Sequence, residues 1–144
     1  MTLKKTLHIG MNVSDMEKCI PFYRDILGLK QVADIRMCND FLTTVQGKKV
    51  DYRIVKFESP GGFIVELHKD FLQDISLPKE NRLQDTGLRH YAYEVDDVDK
   101  FYDRVRSFHC ETINPPCTSD DGSMRLFFVR DPELNLVEIM QIYR

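Results

Sequence analysis

The sequence predicts an α+β fold built from two βαβββ modules. A segment at residues 8–18 is repeated at residues 90–100, and each copy begins with a histidine and ends with a lysine. A second repeat relates Ile64–Leu67 to Leu136–Ile139, with a glutamate at the third position of each. In both copies a run with period-two hydrophobicity precedes a run with helical spacing. An internal repeat of this kind indicates one supersecondary unit that occurs twice.

The length of the chain limits how the two modules can be organised. At 144 residues the sequence corresponds to one domain. We assign module one to residues of about 5–69, a connector to about 70–88 and module two to about 89–143. Each module alone is short for an independent fold, so we expect both to share one core within a single domain over residues 1–144.

Composition excludes several functions. The net charge is −3 and no basic run occurs, so we expect no nucleic-acid partner. No apolar stretch approaches the ~20 residues of a membrane span, and the N-terminus lacks the apolar segment of a signal peptide. The four cysteines show neither a CxxC motif nor zinc-site spacing. Free thiols in a reducing compartment are the simplest interpretation, so we expect a cytoplasmic protein that does not bind membranes.

In module one, residues 7–13 alternate as a strand that places His8 opposite the main apolar face. Ser14 and Glu17 match a capping box, which predicts a helix from about Asp15. Residues 31–38 read as a strand and 39–49 as a loop or irregular edge. Residues 50–58 and 63–69 read as a hairpin around the Ser-Pro-Gly-Gly turn.

Module two repeats this plan. Residues 89–95 read as a strand, and Asp96 or Asp97 should cap the helix that follows. A short strand is predicted at Cys110–Asn114, ending before Pro115-Pro116. Two more strands, 124–130 and 136–142, follow turn-forming sequences.

The repeat places one histidine and one glutamate at equivalent positions in each module. Two sheets related by pseudo-twofold symmetry could bring His8, Glu66, His90 and Glu138 to one point. Two imidazoles and two carboxylates suit a divalent ion such as zinc, nickel, cobalt or manganese. A carboxylate within an apolar strand is otherwise costly to bury without a partner. The sequence therefore predicts that these four residues are metal ligands.

Two alternatives to this ligand set stay open. His68 lies two residues after Glu66 on the same strand face, so it could replace Glu66 or support it. A structural role for the glutamates would instead require a cation beside them, for which the sequence offers three arginines: Arg89, Arg125 and Arg130.

Four segments of the sequence resemble the vicinal oxygen chelate superfamily, which includes glyoxalase I, methylmalonyl-CoA epimerase, extradiol dioxygenases and bleomycin-binding proteins. The resemblance rests on residues 8–17, 22–29, 90–98 and 131–138. It implies paired βαβββ modules around a metal, with ligand positions at His8, Glu66, His90 and Glu138. The His, Glu, His, Glu set is similar to that of bacterial glyoxalase I.

Two residues depart from the pattern of this superfamily. Leu134 stands where the family turn usually has glycine. Asp70 stands where bacterial glyoxalase I usually has an asparagine that helps to hold glutathione, and the connector is longer than in that enzyme.

The resemblance implies a metal-dependent lyase or isomerase of the glyoxalase I type. Proton transfer beside a carbonyl would pass through an enolate that the metal stabilises as a Lewis acid. We expect Glu138 to be the base and Glu66 a ligand and possible second base. One divalent metal ion, no organic cofactor, a small carbonyl substrate and a homodimer are expected. An epimerase or racemase acting on an acyl thioester, or a non-catalytic binding or resistance protein, are the alternatives.

Overall fold

The computed structural model describes residues 2–77 and 81–144, so part of the predicted connector, residues 78–80, lies outside the described residues. The described residues fall into two compact units, within the ranges Met1–Ser76 and Leu77–Arg144. Each unit contains one four-stranded mixed sheet, and the α+β class is confirmed. No helix among the described residues is long and apolar enough to cross a membrane.

The first unit contains four strands and two α-helices among its described residues: β1 (His8–Asn12), α1 (Met16–Pro21), β2 (Lys30–Met37), α2 (Asp40–Gln46), β3 (Tyr52–Glu58) and β4 (Ile64–Asp70). Its strand order is β1-β4-β3-β2. The pair β1–β4 is parallel, and the other two pairs are antiparallel. A π-helical turn, Phe22–Ile26, extends α1 just after Pro21, which has no N–H to donate within the helix.

The second unit repeats this topology with β5 (His90–Glu94), α3 (Val98–Ser107), β6 (Cys117–Thr118), β7 (Met124–Arg130) and β8 (Leu136–Ile142). Its strand order, β5-β8-β7-β6, is equivalent to that of the first unit, and β5 pairs with β8 in parallel. The predicted helix cap is Asp97, whose side chain accepts a hydrogen bond from the Lys100 N–H.

Each sheet packs its helix layer through an aromatic pair. In the first unit Tyr23 stacks on Phe57 of β3, with 5.5 Å between the ring centroids. In the second, Tyr102 of α3 meets Phe127 of β7 edge to face at 5.1 Å. Phe57 and Phe127 are fully buried. These pairs anchor the helical segment that follows β1, and α3 after β5, to one face of each sheet. In the first unit Leu42 of α2 packs on the opposite face, against the cluster that contains Tyr52 and Ile54.

Three local predictions were wrong. Residues 39–49 contain α2, because the Asn39 side chain caps the Leu42 N–H and Gly47, with φ of 69°, ends the helix. The cap of α1 is Asp15, which accepts from the Lys18 N–H, and not Ser14. Residues 110–114 form only an isolated bridge, Thr112 to Val129, because the Asn114 side chain takes the Phe128 N–H that a continuing ladder would use.

Candidate metal centre

The two glutamates lie on the sheet faces opposite the Tyr23–Phe57 and Tyr102–Phe127 pairs. On β4, Val65 and Leu67 are fully buried. Because successive side chains of a strand alternate between faces, Glu66 and His68 point to the opposite side. On β8 the buried Val137 and Ile139 flank Glu138 in the same way. The apolar neighbours of each glutamate thus lie on the face that carries the buried aromatic pair, and the carboxylate lies on the other face.

The strand register brings each histidine to the glutamate of its own module. His8 pairs with Ile64 and Gly10 pairs with Glu66, so His8 and Glu66 are diagonal neighbours across β1 and β4. His8 Nδ1 lies 3.7 Å from Glu66 Oε1. Gly10 lies opposite Glu66 and has no side chain, so the His8 side chain, two positions away on β1, can reach the carboxylate.

The second module has the same arrangement. His90 pairs with Leu136 and Ala92 pairs with Glu138. His90 Nε2 lies 3.3 Å from Glu138 Oε2. The His90 ring also meets Phe128 edge to face, with 5.3 Å between the centroids, and this contact restricts the orientation of the imidazole. In both modules the histidine that opens the first strand thus lies beside the glutamate of the last strand.

The surroundings of the two glutamates differ. Lys56 Nζ lies 2.6 Å from Glu66 Oε1, and His68 Nε2 lies 3.2 Å from Glu66 Oε2. Burial raises the pKa of Glu66, but the bonds from Lys56 and His68, together with the charges of Lys56 and His8, outweigh this effect and lower the pKa overall. For Glu138, His90 is the one ion-pair or hydrogen-bond partner within residues 2–77 and 81–144.

The cation beside Glu66 is Lys56. The three arginines that the sequence offered as partners contact other residues. Arg125 pairs with Asp99, Arg130 with Glu111, and Arg89 donates to Asn81. The sequence signal for Lys56 is the register of the hairpin, counted from the Ser-Pro-Gly-Gly turn. Ser59 N donates to Phe63 O, which places Glu58 opposite Ile64 and, two residues on, Lys56 opposite Glu66.

His68 contacts the carboxylate of Glu66. Its Nε2 contacts the second carboxylate oxygen, and its ring packs against Tyr52 with 5.6 Å between the centroids. The carboxylate therefore lies between Lys56 and His68 on one sheet face. Asp70, the residue that departs from the glutathione pattern, accepts hydrogen bonds from the Asp51 and Leu72 N–H groups at its buried carboxylate.

The donor atoms suit a divalent ion in chemistry, since each module offers one imidazole nitrogen and one carboxylate oxygen. In the second module no other cation contacts this pair among the described residues. In the first, the Lys56 ammonium already occupies Glu66 Oε1. Within the part of the chain that the structure describes, no three His, Cys, Asp or Glu side chains form a ready-made metal cage. The four predicted ligands are thus observed as two His–Glu pairs, one in each unit.

Comparison with known proteins identifies the family. Residues 5–139 match the family model described as Glyoxalase/Bleomycin resistance protein/Dioxygenase superfamily. This chain belongs to that superfamily.

The chain is also similar to curated relatives and to solved structures. The uncharacterized protein YraH of Bacillus subtilis is 25% identical over 140 residues, which cover 96% of this chain and 98% of that protein. A probable lactoylglutathione lyase of Vibrio parahaemolyticus is 22% identical, with coverage of 98% and 93%. A glyoxalase family protein from Bacillus cereus has the same fold, with a TM-score of 0.89, 16% identity and coverage of 100% and 97%. Glyoxalase I from Zea mays matches with a TM-score of 0.72 and 23% identity, and covers 97% of this chain and 45% of its own.

Proposed function

We propose that this protein is a metal-dependent lyase or isomerase that moves a proton beside a carbonyl group. The observation that carries the proposal is the repeated diagonal pair, His8 with Glu66 and His90 with Glu138, at equivalent register positions in the two modules. The repeated pair fits a ligand set in which each module contributes one imidazole and one carboxylate. Membership of a superfamily with lactoylglutathione lyases among the relatives of this chain supports the same class of reaction.

In this proposal His8, Glu66, His90 and Glu138 hold the ion. The bound ion would supply Lewis-acid stabilisation of the negative charge that develops on the carbonyl oxygen. The chain itself supplies the orientation of the ligands. Phe128 limits the rotation of His90, and His68 holds the second oxygen of Glu66. Both supports come from side chains adjacent to the ligands, as is usual in metal sites.

Glu138 is the proposed base. Its carboxylate takes the proton from the carbon next to the carbonyl, and the electrons of the broken C–H bond move to the carbonyl oxygen as an enolate. The same carboxylate then returns the proton to that carbon or to its neighbour. Glu66 is less suited to this role because His68 contacts its second oxygen, the one that Lys56 does not contact. General acid–base catalysis by a group so placed typically contributes ~10²–10⁴-fold.

The buried Asp70 favours a second candidate within the same chemistry, an epimerase or racemase acting on an acyl thioester. Asp70 has no side-chain amide for a glutathione contact at this position, and its carboxylate accepts hydrogen bonds from two backbone N–H groups. Both candidates share proton transfer at Glu138 and differ in the substrate. A small-molecule substrate and a homodimeric assembly belong to the proposal in either case.

The test is solvent exchange at the reacting carbon. Protein loaded with nickel, cobalt, zinc or manganese is incubated in deuterated water with the hemithioacetal of glutathione and a 2-oxoaldehyde, or with a 2-methyl-branched acyl thioester. Mass spectrometry then follows deuterium incorporation and product formation. We expect exchange with at least one of these probes and its loss in Glu138→Gln. Glu111→Gln, which changes an exposed carboxylate of the same unit, is the control.

The outcomes separate the candidates. Turnover of the glutathione adduct alone supports the lyase, and turnover of the thioester alone supports the epimerase. Full exchange in Glu138→Gln contradicts the proposed base. Tight binding of these probes without any exchange would favour a binding or resistance protein.

A further inference from the structure

The two modules differ at the residue that lies directly across the sheet from each glutamate. Lys56 on β3 pairs with Glu66, and Phe128 on β7 pairs with Glu138. The strand order and register are otherwise equivalent around these positions. A lysine therefore faces one proposed ligand where a phenylalanine faces the other.

The contact between Lys56 and Glu66 is close and partly shielded from solvent. Lys56 Nζ lies 2.6 Å from Glu66 Oε1, and the side chains are 32% and 9% exposed. An ammonium at this distance makes a charge-assisted hydrogen bond. Because Glu66 is poorly hydrated, loss of its partner would leave a carboxylate in need of another cation.

A metal ion and the Lys56 ammonium cannot both occupy Glu66 Oε1 without repulsion. Carboxylate oxygens bind divalent ions such as zinc at ~2.0–2.2 Å. With Lys56 in its present position the two cations would lie within ~5 Å of each other, on a face with limited solvent screening. Binding of the metal through this oxygen therefore requires that Lys56 moves away.

We propose that Lys56 is a built-in counter-ion of Glu66 that competes with the metal and lowers the metal affinity of this site. The inference rests on the proposed function, since it assumes that Glu66 is a ligand. Lys56 stabilises the carboxylate in the metal-free protein and is displaced when the metal binds. His68 still contacts the second oxygen when Lys56 leaves, so the carboxylate stays oriented without the lysine.

The experiment compares metal affinities of the full chain by equilibrium dialysis of nickel and zinc against a competing chelator. The variants are Lys56→Met, which keeps the apolar stem and removes the charge, and Lys69→Met as the matched control. Lys69 lies on β4 three residues from Glu66, on the opposite face of the strand. Both variants remove one positive charge from the same sheet.

We expect Lys56→Met to bind the metal about tenfold or more tightly than wild type, because the ion no longer has to displace a charge-assisted hydrogen bond at Glu66. Lys69→Met should stay close to wild type. This gain in metal affinity should depend on Glu66, so adding Lys56→Met to a Glu66→Gln variant should not raise the metal affinity. Thermal unfolding of the metal-free variants checks that each is folded. Lys56→Gln, which keeps a neutral donor, replaces Lys56→Met if that variant does not fold.

The results distinguish this inference from the proposed function. Equal or weaker binding by Lys56→Met, or an equal gain in the Glu66→Gln background, overturns the inference while the metal site of the wild type stands. Binding by Lys56→Met but not by wild type supports the inference and contradicts metal use by the natural chain. Absence of binding in both overturns both proposals.

Discussion

Gly10 lies directly opposite Glu66 in the parallel pair β1–β4, and a Cβ atom on Gly10 would lie 3.4 Å from the His68 ring. The equivalent residue opposite Glu138 is Ala92. A small residue at this register position gives the histidine of the same strand a path to the carboxylate. The size of the residue at position 10 therefore determines whether His8 can reach Glu66.

Substitutions at Gly10 test this role of small size. Gly10→Ala should keep both the fold and metal binding, because its Cβ makes only an ordinary contact and module two already has alanine at this position. Gly10→Leu should lower metal affinity by about 10–100-fold, because its side chain would occupy the space between His8, Glu66 and His68. Equilibrium dialysis together with circular dichroism measures both properties. Equal metal affinities in the two variants would contradict this account.

Leu134 adopts a left-handed backbone conformation, with φ of 67°, in the turn before β8. This conformation costs a residue other than glycine about 1–2 kcal/mol. Glycine avoids that cost, but it also gives the unfolded chain more conformational entropy, which offsets part of the gain in stability. Leu134→Gly should therefore raise the free energy of unfolding by about 0.5–1 kcal/mol. The Leu134 carbonyl, which accepts from Asn81 and Arg130, is unchanged by the substitution.

Leu134→Ala is the control for this prediction, because it removes the side chain and keeps the strain. Urea denaturation of the three proteins should give the order Gly, then Leu, then Ala from most to least stable. A Leu134→Gly variant that is no more stable than Leu134→Ala would show that backbone strain is not important at this turn.

Asp121 gives the second unit a pH-dependent contribution to stability. Bonds from the Ser119 hydroxyl and from the Ser123 N–H and hydroxyl lower the pKa of Asp121 from 3.8 to about 2. A depressed pKa stabilises the fold above the unfolded value, and this contribution is lost as the pH falls from about 4 to about 2. The difference in melting temperature between wild type and Asp121→Asn should therefore shrink across this range.

Melting temperatures at pH values between 2 and 6 check this prediction, with Asp120→Asn as a control that removes the neighbouring charge. A constant difference between wild type and Asp121→Asn over the whole range would argue against a bonded, ionised Asp121.

Phe57 is the main aromatic contact between the sheet and the helix layer of the first unit. It is fully buried and stacks on Tyr23. Phe57→Ala should lower the free energy of unfolding by about 3–5 kcal/mol, since it removes a large buried ring and leaves a cavity. Phe41→Ala on α2, where the ring is 68% exposed, should change it by no more than about 0.5 kcal/mol. Chemical denaturation measures both values, and equal losses of unfolding free energy in Phe57→Ala and Phe41→Ala would show that Phe57 is not a core residue.

The repeat made the strands that carry the candidate site predictable from sequence. His8 and His90 open strands of clear period two, and Glu66 and Glu138 lie in apolar runs that only a strand with one buried face explains. The register then follows from parallel pairing of the first and last strand of each module.

Other features depended on interactions that leave a weak pattern in the sequence. The helix α2 is short and polar, and it depends on the Asn39 cap and on Leu42 packing against Val50 and Tyr52. The pairing of Lys56 with Glu66 follows from hairpin register and could have been derived by counting from the turn at residues 59–62. Asn114 ends the pairing beside β7 through its side chain, which strand propensity does not report.

Metal analysis of untagged protein, beside His90→Ala, tests the proposed metal-dependent reaction most directly. His109→Asn, at an exposed histidine of the same unit with φ of 58°, is the control. The account predicts about one nickel, cobalt, zinc or manganese ion per chain in wild type and His109→Asn, and its loss in His90→Ala. Equal metal content in His90→Ala, or no metal and no thermal stabilisation by any of these ions, would contradict it.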